Sequence, residues 1–192
     1  MTTVTQRRQA RTDEIVASAW QLARQHGIAA VSLRALASQV GIRQPSLYEY
    51  FDSKHALYDA MFGQGNRQLL ARLDDIELPS DSRAALKAIL HAFVEFALED
   101  PTRCELLFER HVPGFTPTDA SYALAIEALD RVVTVMHGAG VTDQGDVDCL
   151  VAITAGLMQA QLTNDPGGDR WVRHLDRMID LHLDHVHDRS VS

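Results

Sequence analysis

Residues 41–54 read GIRQPSLYEYFDSK: a glycine, a branched apolar residue, then a short run crowded with glutamine, proline, serine and two tyrosines. The fixed φ and missing N–H of proline suit the first turn of a helix, so a short helix is predicted to start near Pro45. On a helical wheel Leu47 and Phe51 lie four apart on one face and anchor it, leaving Gln44, Pro45, Ser46, Tyr48 and Tyr50 at its start and on its sides. A hydrophobic core has little use for such side chains, but duplex DNA does. An amide pairs bidentately with adenine, a proline ring touches a thymine methyl, and hydroxyls donate to phosphate oxygens. At about two turns, the helix suits the ~12 Å wide major groove when it enters by its N-terminal end.

Working outward, Ile15, Ala19, Leu22 and Ala23 line one face of a first helix over about 12–26, which Gly27 stops. Ser32 caps a second, whose Leu33, Leu36, Ala37 and Val40 keep helical spacing until Gly41 ends it. Two helices, a short glycine-containing turn and a short polar helix are the pattern of a helix-turn-helix, with the third helix as the reader. Lys54 opens the next helix, where its charge and the free N–H groups of that terminus suit a phosphate. Arg34, on the exposed side of the second helix, is positioned for the backbone or a base edge, and Arg43 in the turn is a further candidate. Glu49 reads as a solvated side chain.

The rest of the chain also keeps helical spacing, with no strand-like alternation and no hairpin signal. We predict an all-α fold of about nine helices. The fourth, about 53–73, carries Gly63 and Gly65, each costing ~1 kcal/mol against alanine inside a helix; they read either as a compliant point or as a kink fixed by packing. The fifth carries Leu86, Ile89, Leu90, Phe93 and Ala97, and Asp100-Pro101 opens a sixth reaching about Arg110. A seventh stripe runs from Tyr122 to Met136, an eighth from Val147 to Met158, and a ninth, from Trp171 to Val186, follows NDPGGD. We divide the chain into a helix-turn-helix domain, 1–54, and a second domain, 55–192, with the fourth helix joining them.

Composition bounds the function. The chain has 192 residues, 46% of them hydrophobic, enough for a real core. Its two cysteines, Cys104 and Cys149, form no close-spaced redox or ligand pair. The N-terminus lacks the apolar stretch of a signal peptide, so a cytoplasmic setting is expected. No run approaches the ~20 apolar residues that span a bilayer, which argues against a membrane role. The net charge of -8 is unevenly spread. Residues 1–54 hold seven basic side chains against four acids, and the remainder eleven against twenty-two. A basic head on an acidic body suits a protein that presents only its head to polyanionic phosphate.

The segment VSLRALASQVGIRQPSLYEYFDSKHAL resembles the DNA-binding head of the TetR family of bacterial transcription regulators. The resemblance covers residues 12 to about 62. It is carried by a small-residue-rich second helix followed by Gly41, Ile42, Leu47, Tyr48, Tyr50, Phe51 and Lys54. It implies that Arg34, Gln44, Pro45, Ser46, Tyr48, Tyr50 and Lys54 contact DNA. It also implies that the later helices form an effector-binding and dimerisation domain, and that the protein is no enzyme and needs no cofactor. The expected function is a homodimeric repressor on a palindromic operator, released by a small apolar ligand. An activator or ligand-independent regulator with the same head, or an all-helical enzyme, are the competing readings; nothing in the chain resembles a nucleophile with its base or paired catalytic carboxylates.

Two further site sets follow. His91, Phe93, Phe96, Cys104, Phe108, His111, Phe115, Tyr122, Met136 and Met158 are candidates for lining an apolar effector cavity, with plain core as the alternative for each. The last two long helices carry more apolar face than a small body needs, and the eighth has small residues that permit close approach. Ala152, Ala155, Gly156 and Gln159 with Trp171, Leu175, Met178 and Ile179 are therefore expected to pair with their copies in a two-fold four-helix bundle. Two reading heads would then meet half-sites about 34–36 Å apart or a multiple of that. The histidines near the C-terminus, His182, His185 and His187, lack the composition of a zinc motif and are read as a solvated helix end, with no metal expected.

Overall fold

The computed structural model describes residues 3–109 and 112–191. Among them the chain forms nine α-helices, two single-turn 3-10 helices and no strand, an all-α fold as the periodicity predicts. First come α1 (Val4–His26), a 3-10 turn (Ile28–Ala30), α2 (Leu33–Gln39), α3 (Gln44–Leu47) and α4 (Lys54–Asp74). They are followed by α5 (Ser82–Glu99), α6 (Pro101–Phe108), α7 (Asp119–Gly138), α8 (Gln144–Asn164), a 3-10 turn (Val172–His174) and α9 (Leu175–Val191). The chain gathers into two compact units. One holds the residues up to Arg67 together with Thr102–Leu124, the other Gln68–Pro101 and the residues from Ala125 onward. The borders thus fall inside α4, after the first residue of α6 and inside α7, whereas the sequence reading places one border at residue 54.

In the first unit Ile15, Ala19, Ile28, Leu36, Leu47, Leu57 and Met61 are sealed from water, each large side chain contributing roughly 1.5–3 kcal/mol by leaving it. Polar ends in this core are matched. The Tyr58 hydroxyl donates to the Ile28 carbonyl at 2.7 Å, and the Trp20 indole N–H donates to Gln64 Oε1 at 2.9 Å. α4 runs unbroken through Gly63 and Gly65. A Cβ at Gly63 would lie 3.1 Å from Ser121 Oγ, and one at Gly65 3.1 Å from both Leu107 Cδ atoms. Close packing therefore accounts for these glycines. Beside them Asp59 fastens the start of α7: Oδ1 accepts from Thr118 N at 2.7 Å and Oδ2 from Ser121 Oγ at 2.8 Å.

In the second unit Leu86, Leu90, Met136, Leu150, Leu175 and Ile179 form the centre of the core. An ion ladder stitches α5 to α9, because Arg83, Lys87 and His91 recur every four residues opposite Asp176, Asp180 and Asp184, which do the same. Arg83 bridges Asp180 at 3.0 Å and Asp184 at 2.6 Å, Lys87 reaches Asp180 at 2.8 Å, and His91 Nε2 lies 2.7 Å from Asp176 Oδ1. The Lys87 ammonium, and then Arg83, hold the Asp180 carboxyl below the usual carboxylate range. Between α8 and α9 the buried Gln161 organises the loop. Its Oε1 accepts from Trp171 N at 2.9 Å and Val172 N at 3.4 Å, and its amide donates to the Asp165 carbonyl.

Several expectations are corrected. α1 starts at Val4, not near residue 12. Its first turns bury nothing, so they leave no apolar stripe, and a capping box between Thr3 and Gln6 starts the helix instead. α3 is one turn long, not two, and Tyr48 to Tyr50 form the turn after it. α9 does not include Trp171, because Gln161 claims the backbone N–H groups of Trp171 and Val172. α6 closes at Phe108, short of Arg110, which lies outside the described residues.

Candidate nucleic-acid interface

The polar tip is built from three local causes. α2 starts where Ser32 Oγ accepts from Ala35 N at 3.1 Å and ends where Gly41, at φ 69°, turns the chain through a left-handed conformation that glycine adopts without strain. Ile42 N closes that turn on the Ala37 carbonyl at 3.0 Å. Arg43, in extended conformation, then caps α3 without a side-chain bond, and Pro45 sits within its first turn. Leu47 and Phe51 are the anchors the spacing predicts, at 0% and 4% exposure, and Phe51 N closes the segment on the Leu47 carbonyl at 3.0 Å.

With those two apolar residues turned inward, the polar ones stand outward. Gln44, Pro45 and Glu49 are exposed, Tyr48 is 47% exposed, and Ser46 and Tyr50 are half-buried. Arg34 on α2 and Arg43 before α3 are also exposed. One turn of helix suffices to present Gln44, Pro45 and Ser46 first, the end-on approach that a groove admits. Lys54 is engaged within the chain, its ammonium donating to the Ala29 carbonyl at 2.8 Å and lying 5.2 Å from the centroid of the Tyr58 ring. Residues outside the predicted set also reach the tip. Arg8 Nη2 donates to the Glu49 carbonyl at 2.6 Å, with the guanidinium 5.7 Å from the Tyr50 ring centroid. Arg11 donates to the Val40 carbonyl at 2.9 Å. The only sequence signal for these contacts is the basic cluster Arg7, Arg8, Arg11.

The cavity candidates scatter by environment. Phe96, Met136 and Met158 are buried in the second unit and Cys104 in the first, while Phe93 is half-buried. Phe115 packs on His55, Tyr58 and Phe62, ring centroids 5.7–6.3 Å away, as part of a local aromatic cluster. Phe108 and Tyr122 stand at the surface, 36% and 45% exposed. His91 Nε2 lies 2.7 Å from Asp176 Oδ1 between α5 and α9, and His111 lies outside the described residues. A cleft of about 300 Å³ in the second unit is lined by none of the candidates but by Asp81, Arg83, Gly140, Val186 and neighbouring residues.

Of the dimer candidates, Ala152, Ala155, Gly156 and Gln159 are all exposed on α8, and Trp171 and Met178 are half-buried. Leu175 and Ile179 are corrected: both are fully buried within the chain, so neither is available to a partner. Val151 on α8 and Leu181 on α9 are 38% and 57% exposed.

Residues 15–61 match the family model described as bacterial regulatory proteins, tetR family. The uncharacterized HTH-type transcriptional regulator YobS of Bacillus subtilis is 32% identical over 87 residues, 45% of this chain and 46% of that protein. The HTH-type transcriptional repressor DrrR1 of Streptomyces coeruleorubidus is 27% identical over 162 residues, 78% of this chain and 53% of that protein. The chain thus spans about half the length of these curated relatives. The crystal structure of the protein SCO4313 superposes with a TM-score of 0.72 at 23% identity, covering 96% of this chain and 98% of that one. The matched head and the shared all-helical fold agree with one another: residues 15–61 are similar to the tetR family of bacterial regulatory proteins, and the whole chain shares its fold with SCO4313.

Proposed function

We propose that this chain is a sequence-specific DNA-binding transcriptional regulator acting as a homodimeric repressor on a palindromic operator, from which a small apolar ligand releases it. The carrying observation is the tip. Gln44, Pro45 and Ser46 on a one-turn helix and Tyr48 in the turn after it face outward, while Leu47 and Phe51 of the same segment are buried. Gln44 is assigned to a base edge, Pro45 to a thymine methyl, and Ser46, Tyr48 and Tyr50 to phosphates or base edges. Arg34 and Arg43 supply flanking charge. Lys54 serves a phosphate after exchanging its bond to Ala29.

Two-fold pairing is supported by α8, whose outer face offers Val151, Ala152, Ala155, Gly156 and Gln159. No neighbouring atom lies within 4 Å of a Cβ built on Gly156, so a copy of the helix can approach its backbone closely. Repression fits the likeness to DrrR1, whose name records a transcriptional repressor. Release requires a ligand that prefers the conformation unable to bind both half-sites, since equal affinity for both states shifts nothing.

The test selects random duplex DNA on the full chain, sequences what is retained, and measures the size of the protein by light scattering. A palindrome retained by a dimer is expected, with Gln44→Ala losing roughly 1–3 kcal/mol of discrimination at one base position. A monomer, or the absence of any preferred sequence at low salt, defeats the proposal. Titration with apolar compounds against the retained duplex then tests release.

A further inference from the structure

The first turns of α1 lack a packing purpose. Val4 is 84% exposed, and α1 buries no side chain before Ile15. Isolated helical turns without a buried face are marginal in water, yet here they are started by a capping box. Thr3 Oγ1 accepts from Gln6 N at 3.2 Å, and Gln6 Oε1 accepts from Thr3 N at 2.8 Å. What they carry is Arg8 and Arg11, one turn apart, each donating to the backbone just past a helix of the reading motif. Arg11 takes the Val40 carbonyl at the end of α2 at 2.9 Å, and its other terminal nitrogen is fixed by Glu14 Oε2 at 2.5 Å. Arg8 takes the Glu49 carbonyl beyond α3 at 2.6 Å, across a separation of 41 residues, and sets its guanidinium 5.7 Å from the Tyr50 ring centroid.

A four-residue helix has almost no internal hydrogen bonds with which to hold itself. After Leu47 the chain makes a turn whose backbone bonds, Tyr50 N and Phe51 N to the Leu47 carbonyl at 3.0 Å each, leave the Glu49 carbonyl to find another donor. Arg8 supplies it, with a charged donor whose positive charge also suits the negative end of a helix. Its flat guanidinium restrains the ring of Tyr50 at the same time. We propose that Arg8 is a positioning residue for DNA recognition: anchored by the otherwise unpacked start of α1, it sets the backbone after α3 and the ring of Tyr50 in the orientation that reads the operator. This rests on the regulator reading above. Arg8 acts through Tyr50 and Glu49, not through a phosphate of its own.

Arg7, exposed one residue earlier, provides the matched control, because its removal costs the same charge. Two measurements on the full chain test the assignment. Without DNA, the amide resonances of residues 48–50 shift in Arg8→Ala and stay in place in Arg7→Ala; if they do not move, the assignment is overturned. On the duplex selected by the wild-type chain, Arg8→Ala binds on the order of tenfold more weakly, while on a scrambled duplex it loses only what Arg7→Ala loses. Arg8→Lys keeps the charge but not the flat, forked donor, so it retains most of the specific loss and shows the same effect should Arg8→Ala fold poorly. Equal losses for Arg7→Ala and Arg8→Ala, full rescue by Arg8→Lys, or a salt slope lowered by about 0.9 would make Arg8 an ordinary phosphate contact and overturn it. A wild-type chain that retains no preferred duplex, while the resonances of residues 48–50 do shift, defeats the regulator reading and leaves the positioning contact standing.

Discussion

Replacing Tyr58 with phenylalanine removes one oxygen from the centre of the first unit and tests how that unit is tied together. The Tyr58 side chain is 1% exposed, and its hydroxyl donates to the Ile28 carbonyl at 2.7 Å across 30 residues. Ile28 is itself fully buried, so water cannot take the place of the lost donor. Leaving a buried acceptor unmatched costs about 1–3 kcal/mol. Here the carbonyl keeps a long bond from Val31 N at 3.4 Å, which places the cost in the lower half of that range, about 1–2 kcal/mol. The ring remains and no large cavity opens, so no packing loss adds to it. With a urea dependence of about 1–3 kcal/mol per molar, a loss of ~1.5 kcal/mol lowers the midpoint by roughly 0.5–1.5 M. Trp20 is the reporter, because its indole bonds Gln64 within the same unit; a Trp171→Phe background silences the second tryptophan. An unchanged midpoint at unchanged slope would show that the bond contributes nothing to holding α4 on the α1–α2 turn.

Gly63→Ala and Gly65→Ala are each expected to destabilise despite a helix-propensity gain of ~1 kcal/mol. At Gly63 the new methyl displaces Ser121 Oγ, which Asp59 holds at 2.8 Å, at a cost of roughly 1.5–3 kcal/mol; at Gly65 it meets the whole fork of Leu107, an overpacking cost of about 1–3 kcal/mol. Thermal melts raised by either substitution would show that the neighbours yield. Gln161→Leu leaves the N–H groups of Trp171 and Val172 without their acceptor and should cost about 2 kcal/mol or more, read by Trp171 fluorescence during urea unfolding in a Trp20→Phe background. The α5–α9 ladder predicts acid lability with a definite sign. Because Lys87 and Arg83 lower the Asp180 carboxyl below its ordinary 3.8, its contribution is fully present above that value and is lost as pH falls through the lower folded value. Asp180→Asn should flatten the fall in the urea midpoint as pH drops below about 4; an unchanged pH profile would refute that role.

The elements whose apolar residues repeat were legible, and those held by polar side chains were not. Leu33, Leu36 and Ala37 mark α2 because its inner face is buried, and the stripe of α5 announces itself in the same way, whereas on α7 the spacing also takes in Tyr122, Ile126 and Leu129, which are exposed. The first turns of α1 are held by a capping box and by arginines reaching backbone carbonyls, interactions that produce no periodicity. The break before α9 has a similar cause, a single buried glutamine that competes for the backbone of Trp171 and Val172. Burial also separated what pattern had merged: Leu175 and Ile179 keep helical spacing with the residues expected to face a copy, yet they fill their own chain's core.

At the site, the tip could be read because its residues are local and chemically out of place in a core, and Leu47 and Phe51 fix which way the rest must point. What holds the tip could not. Arg8 meets Glu49 across 41 residues, and a basic residue near an N-terminus reads equally well as general attraction to phosphate. The geometry bears on the choice, since Arg8 already donates through Nη2 to a carbonyl and sets its guanidinium beside a tyrosine ring, contacts that a side chain held only by phosphate would not need. The same reasoning applies to Lys54 with the opposite outcome. Its ammonium donates to the Ala29 carbonyl at 2.8 Å, but it has three donors on a flexible stem, so it can turn to a phosphate while Tyr58 keeps the neighbouring Ile28 turn in place. Charge-neutral replacement should therefore distinguish them: Lys54→Gln lowers the salt dependence of DNA binding by about one phosphate contact, whereas Arg8→Ala leaves it unchanged and lowers discrimination.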